Sequence, residues 1–375
     1  MKIAVNTRLL VPDKMDGIGW FTYETLKRIT QAHPEHEFLF IFDRKYDDAF
    51  IFGKNVTGHI IYPQARHPII WLYWFEIALK RKLKALNADV FLSPEGWLPK
   101  LKSINSVAVI HDLNFEHHPE NIIRSHRSFF LHFFPIYAKR ATRIATVSEY
   151  SKNDISSTYG IQRSDIDVVY NGANERYAPI KPEEKKIIKE TYSFGKDYFL
   201  FVGTLHPRKN LEHLFLAYEA YRLETKSDKK LIICGNKKWW PKQLESTFQS
   251  LQFKNDILLL GRMSNDELFK LTAAAFCMTY VPQFEGFGIP IIEAMKSGTP
   301  VITSNTSSMP EVSGDAALLA DPFSPADIAK QMVRIDRDEQ LWQELSTKGM
   351  KRAEEFSWDK TAELLWSCIE KVMSK

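Results

Sequence analysis

The stretch QFEGFGIPIIEAMKSGTP, residues 283–300, sets two acids, Glu285 and Glu293, eight positions apart around a turn. The apolar run AAFCMTYV ends just before it at Val281. Pro290 suits the first turn of a helix, where a missing N–H costs nothing. Residues 285–288 therefore read as a strand-to-helix loop. Gly286 and Gly288 allow positive φ and close approach of backbone to a ligand. The N–H groups of Phe287, Gly288 and Ile289 are expected to lie free at the helix start, which is an anion site. Glu293 is expected on the first helical turn, facing the same ligand. A carboxylate beside an anion site makes sense for a ligand that also carries hydroxyls, because a carboxylate accepts two hydrogen bonds from a vicinal diol. One acid at a sugar, the other at a ribose and a diphosphate between them is the layout of a nucleotide-sugar. Taken alone, the same residues also fit a loop charge and a helix-start acid favoured by the macrodipole.

Outward from this loop the chain alternates short apolar runs with longer helical patterns. KIAVNTR, EFLFIFD, HIIYP, DVFLSP, SVAVIHD, RIATVS and DVVYNG form one series of strand candidates; YFLFVGT, KLIICG, DILLLG, FCMTYVP, PVITSN and ALLADP form a second. Strand–helix alternation repeated twice predicts an α/β chain with two parallel, doubly wound, Rossmann-like sheets. The divide falls within 172–195. We place the domains at 1–172 and 173–355, followed by a helix over 356–375. In that tail Trp358, Leu364, Leu365, Cys368, Ile369 and Val372 can share one face, and the helix is expected to cross back to the first domain. Ligands of such sheets sit beyond the carboxyl ends of strands, so two facing sheets predict a cleft with a binding edge from each.

Three more loops follow strands. In FLFVGTLHPRKNLEHLFLAY, Gly203 ends a strand and Arg208-Lys209 precede a helix. Arg binds oxygens as a fork and Lys as a point charge, so the pair suits a diphosphate leaving group; a solvated charge pair is the plainer alternative. In SVAVIHDLNFEHHP, His111 and Asp112 follow a strand, as a proton donor or acceptor near neutral pH or as a packed histidine. In MDGIGWFTYETL, Gly17 and Gly19 precede a helix and could admit a phosphate or sugar, although the dinucleotide pattern G-x-G-x-x-G is incomplete. Asp165-Ile-Asp167 imitates a metal-binding D-x-D but lies before a strand and reads as a turn. No histidine and carboxylate spacing argues for a metal.

The totals bound the remaining classes. The chain has 375 residues, a formal charge of +4 and 13% aromatic residues. That charge is too small to argue for nucleic acid as a partner. Three separated cysteines, each in an apolar run, make neither a disulfide framework nor a zinc site, and fit a reducing compartment. The start reads as a strand rather than a signal peptide, and no apolar run reaches the ~20 residues of a membrane span. We expect a cytoplasmic protein. HPIIWLYWFEIALKRKLKAL, residues 67–86, joins aromatics to Lys80, Arg81, Lys82 and Lys84. It reads either as a packed helix with a basic end or as a segment lying on an anionic bilayer at the inner face of the membrane.

These residues resemble a known family. FEGFGIPIIEAMKSGTPVITSNTSSMPEVSGDAALLADP looks like the carboxyl-terminal signature of the retaining glycosyltransferases of family 4, which have the two-domain GT-B fold, and Glu285 and Glu293 match its E-x7-E pattern. GTLHPRKNLEHLFLAY resembles its donor-phosphate loop, and GIGWFTYETL, VIHDL and ATVSEYSKNDI fit its amino-terminal domain. The resemblance spans nearly the whole chain and is most specific at 283–322. It implies that Arg208 and Lys209 hold the donor diphosphate and that Glu293 holds the ribose. Glu285 would contact the transferred sugar, with the backbone of Phe287, Gly288 and Ile289 nearby, and His111 would sit by the reacting carbon. The loop at Gly17 to Gly19 would close over donor or acceptor, and Gly261-Arg262 would read the base. The first domain would serve the acceptor and the second the nucleotide-sugar.

The reaction then implied is transfer of a hexose from a nucleotide-sugar to a glycan or lipid-linked oligosaccharide in cell-surface polysaccharide synthesis, with no cofactor or metal required. MPEVSGDAALLADP together with GIGWFTYE leans toward mannosyltransferases and hence GDP-mannose, with a UDP-hexose as the other donor. A GT-B epimerase or phosphorylase and a non-catalytic nucleotide-sugar-binding protein are the alternatives.

Overall fold

The computed structural model describes residues 1–12, 14–101, 103–237 and 240–374. It divides into two compact units, one formed by Met1–Asn171 with Trp358–Lys375 and the other by Gly172–Ser357.

The first unit holds a seven-stranded parallel sheet: β1 Lys2–Asn6, β2 Glu37–Phe42, β3 Val56–Ile60, β4 Val90–Ser93, β5 Asn105–Val109, β6 Arg143–Thr146 and β7 Ile166–Val168, in the order β3-β2-β1-β4-β5-β6-β7. The second holds a six-stranded parallel sheet: β8 Tyr198–Val202, β9 Lys230–Cys234, β10 Ile257–Gly261, β11 Cys277–Tyr280, β12 Val301–Ser304 and β13 Leu318–Ala320, in the order β10-β9-β8-β11-β12-β13. Every expected strand is present. The run HIIYP is displaced, since β3 ends at Ile60 and pairs from Val56. The central strands β4, β11 and β12 are buried along their whole length. A strand covered on both faces must be apolar throughout, which is why these runs read as continuous rather than alternating.

In each sheet the chain moves outward over three strands and then returns to the other side of the first. The order reverses between β1 and β4 and again between β8 and β11. Crevices beyond the carboxyl ends of strands at such reversals are where doubly wound sheets bind ligands.

The terminal helix, Trp358–Met373, belongs to the first unit, where it packs on the helix Gly17–Ala32 and on β4, β5 and β6. Trp358, Leu365, Cys368, Ile369 and Val372 are buried as expected, whereas Leu364 is 40% exposed and Trp366 is buried as well. The Trp366 indole stacks on His33 with ring centroids 3.7 Å apart. Thr361 Oγ1 donates to the Tyr170 carbonyl at 2.7 Å, and Lys371 pairs with Asp167 at 2.7 Å. Asp167 also receives a bidentate Arg143 from β6, so the second acid of the D-x-D imitation links the terminal helix to the sheet. All three cysteines are buried, and burial raises each thiol pKa.

Residues 67–86 form a helical segment packed on the first core, with an exposed basic end. A helix Pro68–Tyr73, a π-helical turn Trp74–Leu79 and a helix Lys80–Ala85 follow one another. Trp71, Trp74, Phe75, Leu79 and Leu83 enter the core beside Trp97. Ile69, Leu72, Tyr73 and Ile77 stay on the surface, followed by exposed Arg81 and Lys84. Among the described residues no helix is long and apolar enough to cross a membrane.

Candidate active site

At the reversal of the second sheet, the segments after β8 and β11 are stitched together. After β8 the chain makes a short 3-10 turn, Pro207–Lys209, in which the His206 imidazole accepts from Arg208 N at 3.4 Å and the His206 carbonyl accepts from Lys209 N at 2.8 Å. Asn210 ends the turn in the left-handed region at φ 65°, a conformation asparagine tolerates better than most residues. Its amide donates to the Val281 and Pro322 carbonyls at 3.0 and 2.6 Å, and Gln283 N donates to the Arg208 carbonyl at 2.9 Å. Arg208 and Lys209 are thereby fixed beside the 281–285 loop.

Glu285 meets both cations. Its Oε2 lies 3.0 Å from Arg208 Nη1, and its Oε1 pairs with Lys209 Nζ. The Tyr280 hydroxyl, on the last residue of β11, donates to Glu285 Oε1 at 2.9 Å. Glu285 is only 7% exposed. Its backbone is braced by the loop after β12: the Ser307 hydroxyl accepts from Glu285 N at 3.3 Å, and the Ser308 hydroxyl donates to its carbonyl at 2.9 Å. Ser304 donates likewise to the Pro282 carbonyl at 2.5 Å. Neither Tyr280 nor this hydroxyl brace carries a motif signal in the sequence.

The helix after the loop, Ile289–Lys296, begins on Gly288 at φ 89°. A Cβ at Gly288 would press on Met309, so both the backbone angle and the space require glycine. In the first turn Pro290 has no N–H and Ile291 N donates back to the Gly288 carbonyl at 3.0 Å, which leaves Ile289 N as the first-turn donor without an intrahelical acceptor. Phe287 itself is buried, its ring 5.5 Å from that of Phe356. Glu293 lies on the second turn, not the first, because the helix starts at Ile289. Burial pushes its carboxyl up to about 7, offset in part by the neighbouring Tyr177 hydroxyl. It is therefore not an acid favoured by the macrodipole. Gly203, after β8, lies so close to Gly235 that a Cβ on Gly235 would collide with the Gly203 carbonyl. Arg262 is exposed just beyond β10, following Gly261 at φ 71°.

The first unit places its candidates at the carboxyl ends of β1, β4 and β5. His111 Nε2 is 2.8 Å from the Pro94 carbonyl, and its ring meets Phe21 edge-on at 5.0 Å. Burial lowers its pKa, so the ring is neutral at pH 7, with Nε2–H donating to Pro94 and Nδ1 left as an acceptor. Beside it, Arg8 forks onto Glu95 at 2.9 and 2.6 Å, and Asn6 donates to the same carboxylate at 2.7 Å. Arg8 and Glu95 are each nearly buried. Gly17 and Gly19 are not in a loop: they occupy the first turn of Gly17–Ala32, capped by the Asp16 carboxylate, which accepts from Gly19 N at 3.1 Å. A Cβ at Gly19 would crowd Met15 and the Leu9 carbonyl, whereas Gly17 has open space.

Two family models match in succession, Glycosyltransferase Family 4 over residues 15–177 and Glycosyl transferases group 1 over residues 183–352. The O-antigen chain mannosyltransferase B of Escherichia coli is 29% identical over 361 residues, covering 92% of this chain and 93% of that protein. The O-antigen chain mannosyltransferase RfbU of Salmonella typhimurium is 29% identical over 275 residues, covering 73% of this chain and 72% of that protein. Among solved structures, Anabaena Alr3699/HepE in complex with UDP-glucose superposes with a TM-score of 0.75 at 18% identity over the full length of both chains. The doubly wound pair of sheets is the GT-B fold, and the chain belongs to the glycosyltransferases that these two models describe, family 4 in its first half and group 1 in its second.

Proposed function

We propose that this glycosyltransferase moves mannose from GDP-mannose to a glycan or lipid-linked oligosaccharide in cell-surface polysaccharide synthesis, with retention of anomeric configuration. The observation that carries the reading is the convergence of Arg208, Lys209 and Glu285 beyond β8 and β11, next to a helix start and Glu293. The two mannosyltransferase relatives support the choice of sugar.

In this reading the unit Gly172–Ser357 binds the donor. Departure of a nucleoside diphosphate puts negative charge on phosphate oxygens. Arg208, Lys209 and the N–H groups of Phe287, Gly288 and Ile289 meet that charge without a metal. Glu293 accepts from the ribose diol, Gly203 admits the backbone close to the diphosphate, and Arg262 lies at the base. Glu285 orients sugar hydroxyls. Glu285 is assigned a positioning role rather than that of a nucleophile, so the reading involves no covalent sugar–enzyme intermediate of the retaining-glycosidase kind. A front-face displacement keeps the configuration instead. The C–O bond to the leaving phosphate breaks, the acceptor hydroxyl bonds to the same face of the anomeric carbon, and its proton goes to the departing phosphate oxygen.

The unit Met1–Asn171 serves the acceptor, with the His111 Nδ1 lone pair available to a sugar hydroxyl. The Asp16 carboxylate at the start of Gly17–Ala32 disfavours a phosphate there, so Gly17 and Gly19 suit a neutral saccharide better. The apolar and basic surface of residues 69–84 suits peripheral contact with an anionic membrane. A thermal-shift panel of GDP, UDP, ADP and their sugars tests the donor: GDP-mannose is expected to give the largest stabilisation, and a larger shift with a UDP-hexose would replace it.

A further inference from the structure

Arg208 and Lys209 already hold an anion, and it comes from the chain itself. Both oxygens of Glu285 are committed, Oε2 to Arg208 and Oε1 to Lys209 and Tyr280. The Tyr280 hydroxyl also accepts from Lys209 Nζ at 2.5 Å, so one phenol oxygen stands between ammonium and carboxylate. Tyr280 is 1% exposed, and its ring stacks on Phe201 with centroids 5.9 Å apart. That hydroxyl has nowhere to swing.

A diphosphate carries more negative charge than a carboxylate and offers more oxygens to an arginine fork and a lysine, so it competes well for this pair. A carboxylate spent on two cations has little accepting capacity left for sugar hydroxyls. We propose that Glu285 is the resident anion of the donor site and Tyr280 its tether. The donor's diphosphate displaces the carboxylate from Arg208 and Lys209, and the Tyr280 hydroxyl keeps its grip, so the released oxygens turn to the sugar. The proposal rests on Arg208 and Lys209 being the diphosphate-binding pair. It adds an order of events: Glu285 becomes available to the sugar only once the diphosphate is seated.

Titration calorimetry of the full chain with inorganic pyrophosphate and with GDP tests this, on wild type, Glu285→Gln, Tyr280→Phe and Arg208→Ala, alongside donor kinetics. Glu285→Gln removes the competing charge, so it is expected to bind pyrophosphate about tenfold more tightly, the scale of one hydrogen bond to a charged group, while kcat falls. Tyr280→Phe is expected to lower kcat about tenfold and to leave the donor KM near wild type; a purely structural tyrosine would lower the melting temperature without splitting kcat from KM. Unchanged or weaker pyrophosphate binding by Glu285→Gln, with binding abolished in Arg208→Ala, overturns the resident anion and spares the diphosphate reading. Binding of neither ligand to any variant overturns both. Should Tyr280→Phe fail to fold, the Glu285→Gln arm decides alone.

Discussion

The buried phenol of Tyr177 sits beside the half-buried carboxyl of Glu293 in the second unit. Burial raises the Glu293 pKa from its ordinary 4.5 to about 7. The proton is thus held more tightly in the folded chain than in the unfolded one. The associated stability is fully present below about pH 4.5 and is lost as pH rises through about 7. Glu293→Gln removes that loss, so it is expected to be more stable than wild type at pH 8, by up to about 3 kcal/mol, with little difference at pH 4. Chemical denaturation at the two pH values measures it.

The same titration governs ligand binding. A ribose diol needs an accepting carboxylate, so wild-type affinity for GDP is expected to fall from pH 8 to pH 6. Glu293→Gln should bind weakly at both. Full affinity in Glu293→Ala by calorimetry would remove Glu293 from the ribose.

Arg208→Ala removes a preorganised partner of the departing diphosphate. Its kcat is expected to drop by about a hundredfold to a thousandfold, and Lys209→Ala should behave similarly. Unchanged turnover of Arg208→Ala in a radiolabelled-mannose assay would contradict the leaving-group role.

Arg8 and Glu95 form a nearly buried bidentate pair in the first unit. Arg8→Met leaves the carboxylate buried with only Asn6 to satisfy it, at an expected cost of about 3–5 kcal/mol. A loss under 1 kcal/mol in urea denaturation, about the value of an exposed pair, would show that water reaches Glu95.

Ile69, Leu72, Tyr73 and Ile77 are exposed next to Arg81 and Lys84. Vesicles rich in anionic lipid are expected to float the wild-type chain, and Lys80/Arg81/Lys84→Ala less of it, with the difference closing at high salt. Equal flotation of the two proteins at low salt would remove the electrostatic contact.

The strands were legible because parallel sheets bury both faces, so each leaves an uninterrupted apolar run ending in turn residues. Arg208-Lys209 and the two glutamates were legible as local motifs at strand ends. The pairing of Glu285 with Arg208 and Lys209 was not, because it joins residues far apart in sequence. It depends on β11 returning to lie beside β8, which no local periodicity encodes. The doubly wound order does imply that neighbour, so it was the available signal. Helical spacing alone puts Leu364 on the inner face because it cannot tell the edge of a stripe from what lies just beyond it; Trp366, about 200° around the helix from Leu364, is buried at the opposite edge. Gly17 and Gly19 look like loop in the sequence because glycine signals a break. Here Asp16 caps the helix one residue ahead, and Gly19 is small to clear Met15 and the Leu9 carbonyl.

A crystal structure of the chain soaked with GDP-mannose tests the central claim most directly. The account predicts diphosphate oxygens within hydrogen-bond distance of Arg208 and Lys209, beside the first turn of Ile289–Lys296, with Glu293 on the ribose. A nucleotide bound elsewhere, with Glu285 still paired to both cations, would contradict it.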